Sequence, residues 1–536
     1  MITFEGVTLS YEGQAPIVSG LSLEVCEGEW LLLAGPTGSG KSTLLKAVNG
    51  LMPRLTGGTL EGRVSVNGRS TAEHGPEAFA DLVGYVGQDP TSSFVAERVE
   101  DELAYVMENL AFSPATMRRR VEEVLDLLDL HRLRHRPLAT LSLGERQRVA
   151  IGAALTAAPE VLVLDEPTSA LDPLAAEEVL AAISRLVHDL GITVLVAEHR
   201  LERALPFADR VAVLDPRTAS LCVDLTPEAR LGEELEPPLA ELGRRLRWPR
   251  VPLTVREGRR ASVEARASLE GVQPRERGHL PGAVVASLDG VHLSYGEQQA
   301  LSGVDLELWS GEVVAIMGRN GAGKSSALAV LSGLRQPVAG SALVLGVDPV
   351  AMAATERIAS VGLVPQNHRA LLYASSVAEE CATADAEHGL EPGATAAVLE
   401  RLLPGVEQER HPLDLSEGQR LVLALAVVLA PRPKLVLLDE PTRGLDYEAK
   451  RHLAEVLGEL RSGGSSVLLA THDVELVAQI ADRTVVLAEG EVVAVGDSRE
   501  VLAQSPASTT QVGRVFYPAP WLTVDEVVEA LEAQQR

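Results

Sequence analysis

The chain is a duplication. The stretch LSYEGQAPIVSGLSLEVCEGEWLLLAGPTGSGKST at residues 9–43 returns as LSYGEQQALSGVDLELWSGEVVAIMGRNGAGKSS at 293–326, and VLVLDEPTSALDP at 161–173 returns as LVLLDEPTRGLDY at 435–447. Matched positions keep a slowly falling offset, 283 residues from Lys41 to Lys324 and 273 from His199 to His472, so the second copy carries a few short loop deletions. Self-similarity on this scale sets the architecture before any element is assigned. Residues 1–232 and 283–505 are two folding units of one kind, each a little over 200 residues long.

Between the units, residues 233–282 carry Pro237, Pro238, Pro249, Pro252, Pro274 and Pro281 and an arginine-rich run from Arg244 to Arg277. This composition reads as a linker without a core of its own. Its basic character allows either a solvated tether, the plainer reading, or a contact with anionic lipid headgroups or RNA. Residues 506–536 form a C-terminal extension. Thr523 with Glu526 three residues on predicts a helix start, and Val524, Val527, Val528 and Leu531 share one face, so a small docking helix is expected.

The total charge narrows the possible partners. Asp plus Glu is 75 against 48 Lys plus Arg, a formal net charge of −27, and aromatic residues are 3%. A protein that grips nucleic acid needs basic surface, and a base-stacking platform needs aromatics, so neither fits. The longest apolar run, residues 421–430, is about half of what a membrane-spanning helix needs. Cys26, Cys222 and Cys381 lack metal-site or disulfide-framework spacing. The N-terminus alternates like a strand and lacks the pattern of a signal peptide. The expectation is an acidic cytoplasmic protein.

Phosphate chemistry is written at two strand–loop–helix junctions. The apolar run at 30–34 reads as a buried parallel strand, and Gly35-Pro36-Thr37-Gly38-Ser39-Gly40-Lys41-Ser42 with Thr43 follows, opening a helix. Gly318-Arg319-Asn320-Gly321-Ala322-Gly323-Lys324-Ser325 with Ser326 repeats it. Glycines let the backbone wrap closely, so that N–H groups and a helix N-terminus face phosphate oxygens. Lys41 and Lys324 can reach the outer phosphates, and the Ser42 and Ser325 hydroxyls can ligate Mg²⁺. Asp165-Glu166 and Asp439-Glu440 end further apolar strands, where the ligand crevice of an open α/β sheet lies. The aspartates are candidates for Mg²⁺, and the glutamates for orienting and deprotonating water.

In order along the chain, the P-loop, Gln88, Leu-Ser-Leu-Gly-Glu (141–145), Asp165-Glu166, Ser169 to Asp172 and His199 are matched by a second series. That series is Gln366, Leu-Ser-Glu-Gly-Gln (415–419), Asp439-Glu440, Arg443 to Asp446 and His472. Each unit therefore resembles the nucleotide-binding domain of an ATP-binding cassette (ABC) protein. The resemblance implies an α/β fold of two tandem P-loop NTPase domains, each a mostly parallel sheet core with an antiparallel β subdomain and a helical subdomain. It implies ATP and Mg²⁺ as cofactors. Gln88 and Gln366 join Ser42, Asp165, Ser325 and Asp439 around the metal, and His199 and His472 contact the γ-phosphate. Ser142 and Gly144, like Ser416 and Gly418, serve the nucleotide held by the other cassette, within one chain or between chains. Tyr11 and Tyr295 stand where the family places an adenine-stacking aromatic, although a core tyrosine reads nearly as well from the residues. Glu166 and Glu440 are both present, so two hydrolysing sites are expected. The first signature departs from the pattern with Glu145 in place of glutamine.

The segment 87–110 (GQDPTSSFVAERVEDELAYVMENL) and Glu198-His199-Arg200-Leu201-Glu202 resemble the ATPases of energy-coupling factor (ECF) importers. That resemblance implies a peripheral protein on the inner face of the membrane, partnered by a transmembrane coupling subunit and a substrate-binding membrane subunit. The cargo would be a vitamin, a vitamin precursor or a transition-metal ion. An acidic helix around Asp101 and Glu102, with Glu379 and Glu380 at the matching offset, suits basic partner helices. The alternatives are the ATPase of an ordinary ABC sugar importer and a soluble ABC-F-type translation factor on ribosomes. The basic linker favours the last; the acidic total and the prolines oppose it.

Overall fold

The computed structural model describes all residues except 14, 170, 217, 226–234, 276–281, 297, 505, 507–508 and 536. It divides into two compact units, Met1–Pro237 and Pro238–Arg536. In the first, a six-stranded sheet runs in the order Ser220–Leu225, Arg210–Asp215, Trp30–Ala34, Thr193–Ala197, Val161–Asp165, Val83–Val86. The pairings are parallel except at the Ser220–Leu225 edge. The strands Trp30–Ala34, Val161–Asp165 and Thr193–Ala197 are buried at all five positions, as expected of parallel strands covered on both faces. A four-stranded antiparallel sheet built on Ile2–Ser10 adjoins it, and Phe4, Leu9, Leu31, Leu33, Leu45, Val163 and Leu195 share one core. The helices Val99–Asn109, Pro114–Leu127 and Leu143–Leu155 supply the helical part.

The second unit repeats this plan. Its six-stranded sheet runs Val361–Val364, Leu435–Asp439, Ser466–Ala470, Val313–Met317, Arg483–Ala488, Glu491–Asp497. Beside it, Gln298–Trp309, Val284–Tyr295 and Ala339–Val344 form a three-stranded antiparallel sheet. The apolar run at 421–430 belongs largely to the helix Glu417–Leu429, whose Leu421, Leu423, Ala424 and Leu425 are sunk in the core. Among the described residues, no helix is long and apolar enough to cross a membrane.

The inter-unit segment differs from the expected coreless tether. Pro238–Arg245, Val255–Ala261 and Val263–Ser268 are helices. Leu239, Leu242, Ala265 and Leu269 pack with Val512, Val515, Phe516, Trp521, Val524, Val527 and Val528 of the C-terminal extension in a core of their own. The apolar partners stand more than 240 residues downstream, so local composition could not reveal the core. The C-terminal helix Val524–Gln535 starts at Thr523, whose Oγ1 accepts from Glu526 N (3.3 Å) while Glu526 Oε2 accepts from Thr523 N (3.3 Å). The expected boundary at 232, and Arg277 and Pro281 of the arginine-rich segment, lie outside the described residues.

Candidate functional site

In each unit a buried strand runs into the glycine loop and then a helix, Lys41–Val48 or Lys324–Leu331. Gly40 and Gly323 begin these helices with φ of 95° and 103° and offer no side-chain cap. A Cβ on Gly40 would stand 1.9 Å from Ile17 Cγ2, and one on Gly323 2.4 Å from the Ala300 carbonyl oxygen, so only glycine fits. The loop folds around the lysine. Lys41 Nζ donates to the carbonyls of Gly35 (2.8 Å) and Pro36 (2.9 Å), and Lys324 Nζ to those of Gly318 (2.9 Å) and Arg319 (3.2 Å). An ammonium centred in a loop with uncapped helix N–H groups is an anion cradle.

Ser42 Oγ donates to Asp165 Oδ1, and Ser325 Oγ to Asp439 Oδ1, both at 3.0 Å. Burial first, then the adjacent Glu166 charge, pushes Asp165 up to about 6, with Ser42 pulling the other way. Burial also pushes Asp439 upward. A hydroxyl and a desolvated carboxylate side by side are hard oxygen donors short of positive charge, and this set fits Mg²⁺.

Glu166 and Glu440 take the left-handed backbone region, at φ of 51° and 49°. For a non-glycine residue this conformation is uncommon and strained, at a cost of order 1 kcal/mol. Hydrogen bonds from Glu166 N to Ala197 O (2.9 Å) and from Glu440 N to Ala470 O (2.8 Å) hold them there. Glu166 Oε1 lies 2.9 Å from His199 Nε2, and its Oε2 accepts from Gln88 Nε2 at 3.0 Å. Burial alone would raise Glu166, but the His199 charge and hydrogen bond, with Lys41 and Gln88, outweigh it and the net shift is downward. Glu440 is held low against burial by His472, 2.8 Å away through Nδ1, and by Lys324 Nζ at 3.4 Å. Both glutamates are therefore carboxylates, the form a general base requires.

The two centres are not identical. Gln88 and Gln366 are both exposed, but Gln88 reaches its glutamate, whereas the Gln366 side chain makes no hydrogen bond among the described residues. Tyr11 is partly buried against the core, with its hydroxyl 3.4 Å from Thr43 Oγ1. Tyr295 is 44% exposed, and the Arg335 guanidinium stands 5.5 Å from its ring centroid.

Ser142 and Ser416 cap thirteen-residue helices. Ser142 Oγ accepts from Glu145 N (3.3 Å) and Glu145 Oε2 accepts from Ser142 N (2.7 Å); Gln419 repeats the exchange with Ser416 at 3.2 and 3.0 Å. The departure at Glu145 is thereby explained: either side chain can close this box. Gly144 and Gly418 sit in the first turn, where an added Cβ would lie 3.3 Å from Ala175 Cβ and 3.1 Å from Ala449 Cβ.

Two features escaped the sequence reading as site elements. Glu198 is fully buried and accepts from Thr168 N (2.8 Å) and His199 N (3.2 Å), tying the loop after Glu166 to the histidine; burial raises its pKa. An acid directly before His199 at the end of an apolar strand was the available signal. In the second unit, Glu417 of the signature is gripped by His368 (3.2 Å), Arg369 (3.3 Å) and Arg420. Burial opposes these partners, yet His368 and the arginines lower Glu417 to about 2.

The acidic helix is more committed internally than its composition suggests. Glu102 turns inward and accepts from Val95 N (2.9 Å) and Ala96 N (2.8 Å); Glu380 does the same for Tyr373 N and Ala374 N, both at 2.8 Å. Glu100 is bound by Arg134 at 2.6 Å. Asp101, Tyr105 and Glu108 remain exposed.

A phosphate cradle, an acidic strand end and a capped signature helix, twice over, define tandem P-loop domains of the ABC type. The ABC transporter family model matches residues 18–169 and 301–443, and the chain belongs to that family. A provisionally assigned ABC transporter ATP-binding protein of Streptomyces avermitilis is 52% identical, with 99% of this chain and all of that protein aligned. A similar protein of Streptomyces coelicolor is 51% identical over 99% of this chain and all of its own length. Among solved structures, the archaeal ribosome recycling factor aABCE1 in complex with stalk protein aP1 shares the fold at TM-score 0.59 and 23% identity, over 94% of this chain and 92% of that one. These findings make the chain the ATP-binding subunit of an ABC transporter, with ABC ATPase domains.

Proposed function

We propose that this chain hydrolyses ATP at both units to drive a membrane importer of the ECF type, carrying a vitamin, a vitamin precursor or a transition-metal ion. The observation that supports hydrolysis is the repeated triad of a cradle lysine, a low-pKa glutamate and a histidine on that glutamate. In this reading Lys41 and Lys324 bind the outer phosphates, and the loop N–H groups orient them. Ser42 with Asp165, and Ser325 with Asp439, hold Mg²⁺, with Gln88 and Gln366 beside them; the bound ion supplies neutralisation of phosphate charge. Glu166 and Glu440 accept the proton of the attacking water, while His199 and His472 keep those carboxylates charged and aimed. Ser142, Gly144, Ser416 and Gly418 serve the triphosphate of an opposing cassette, in the same chain or another, from the positive end of their helix. Tyr11 and Tyr295 take the adenine.

The ECF assignment rests on the segment 87–110 and on Glu198 to Glu202. The exposed Asp101, Tyr105 and Glu108 are the part of that region open to a transmembrane coupling subunit. Affinity purification of the tagged chain from solubilised membranes tests the proposal. Recovery with a coupling subunit and a small substrate-binding membrane protein is expected. Recovery with ribosomes, or with the permeases of a sugar importer, overturns it.

A further inference from the structure

We propose that the arginine face of the inter-cassette helices docks this protein directly onto a bilayer of anionic phospholipid. Residues 238–275 hold nine arginines, no lysine and four glutamates, in a chain whose net charge is −27. The helices Val255–Ala261 and Val263–Ser268 are separate but meet at Ser262, which caps both, with Ser262 N bonded to Gly258 O (2.9 Å) and Arg266 N to Ser262 O (2.8 Å). At about 100° per residue, Gly258, Ser262, Ala265 and Leu269 fall on one face, and all four are buried. Arg256, Arg259, Arg260, Val263 and Arg266 fall on an adjoining arc of about 120°, and all five are exposed, with the exposed Glu257 and Glu264 beyond its far edge. Arg259 is partly engaged, its Nε donating to Arg514 O at 2.9 Å. Arg256, Arg260 and Arg266 have no ion pair or side-chain hydrogen bond among the described residues.

Charge chooses the orientation. The rest of the chain is more acidic than the whole and is repelled by an anionic surface, so only a concentrated cationic face can approach one. Chemistry chooses lipid over RNA. Val263 is 63% exposed in the middle of the guanidinium stripe, and an aliphatic side chain ringed by cations suits the headgroup boundary of a bilayer. The stripe carries no aromatic residue on which a base could stack. Helices built as a coreless tether could not hold this arc; the core around Phe516 and Trp521 fixes it.

Sedimentation of the full-length protein with sucrose-loaded vesicles tests the proposal. One set is pure phosphatidylcholine and the other an equal mixture with phosphatidylglycerol. Partitioning onto the anionic vesicles only, weakened by raising NaCl from 50 to 500 mM, is expected. Arg256→Gln with Arg260→Gln and Arg266→Gln should lower that partitioning at least tenfold. The same triple should leave ATP turnover and the thermal midpoint unchanged. Arg118→Gln with Arg119→Gln, on a different helix, should leave partitioning unchanged. Because the vesicles contain no protein, the result is independent of any importer subunit. Equal binding to both vesicle types, no binding to the anionic ones, wild-type partitioning by the triple variant, equal loss in the Arg118/Arg119 control, or displacement from vesicles by a single-stranded RNA oligomer would each overturn it.

Discussion

His199 Nε2 lies 2.9 Å from Glu166 Oε1, and both side chains are buried. The matching pair, His472 and Glu440, meets at 2.8 Å through the other ring nitrogen. A buried glutamate kept charged by a histidine is poised to accept a proton, and the arrangement occurs in both units. Glu166→Gln and Glu440→Gln should each remove at least half of the steady-state ATP turnover, and the double variant should lose about 100-fold or more. A phosphate-release assay checks this; a single variant with wild-type turnover refutes two working sites.

Glu145 closes a capping box on Ser142 as Gln419 does on Ser416. Glu145→Gln should therefore leave thermal stability and turnover unaltered. Ser142→Ala removes the oxygen that accepts from Glu145 N and should cost about 1 kcal/mol. Differential scanning calorimetry of the two variants, beside an activity assay, separates these outcomes.

Glu417 is lowered to about 2 in the folded chain, against an ordinary value near 4.5. A depressed carboxylate contributes stability that is present above its unfolded pKa and is lost as pH falls toward the folded one. Glu417→Leu, which installs the residue that the first signature carries as Leu143, should destabilise the second unit by roughly 2 kcal/mol at pH 7. The difference from wild type should hold between pH 6 and 8 and shrink between about 4 and 2. Urea unfolding across that range measures it.

Trp521 is fully buried in the core shared by the C-terminal extension and the inter-unit helices. Trp521→Ala should cost about 3–5 kcal/mol locally. It should also speed tryptic cleavage at the arginines between Arg244 and Arg266, which folded helices protect. Timed proteolysis read by mass spectrometry checks it; unchanged cleavage would mean that these helices stand without their C-terminal partner.

The candidate site was legible in the sequence because its parts are local. A glycine loop, its lysine and serine, an Asp-Glu pair and a histidine must each stand at short fixed spacings from a strand or helix end, and this chain writes the set twice. Other decisions needed contacts that no window of sequence holds. Glu102 and Glu380 look like surface acids, yet fold inward to satisfy two backbone N–H groups each. Glu166 and Glu440 sit in a strained left-handed conformation held by the strand carrying Ala197 or Ala470. Leu239 and Leu242, set among prolines and arginines, become core residues only because Phe516 and Trp521 return from the far end of the chain. Spacing along the backbone marked the candidate groups; burial and pairing depend on distance in space, and the tertiary structure decided those.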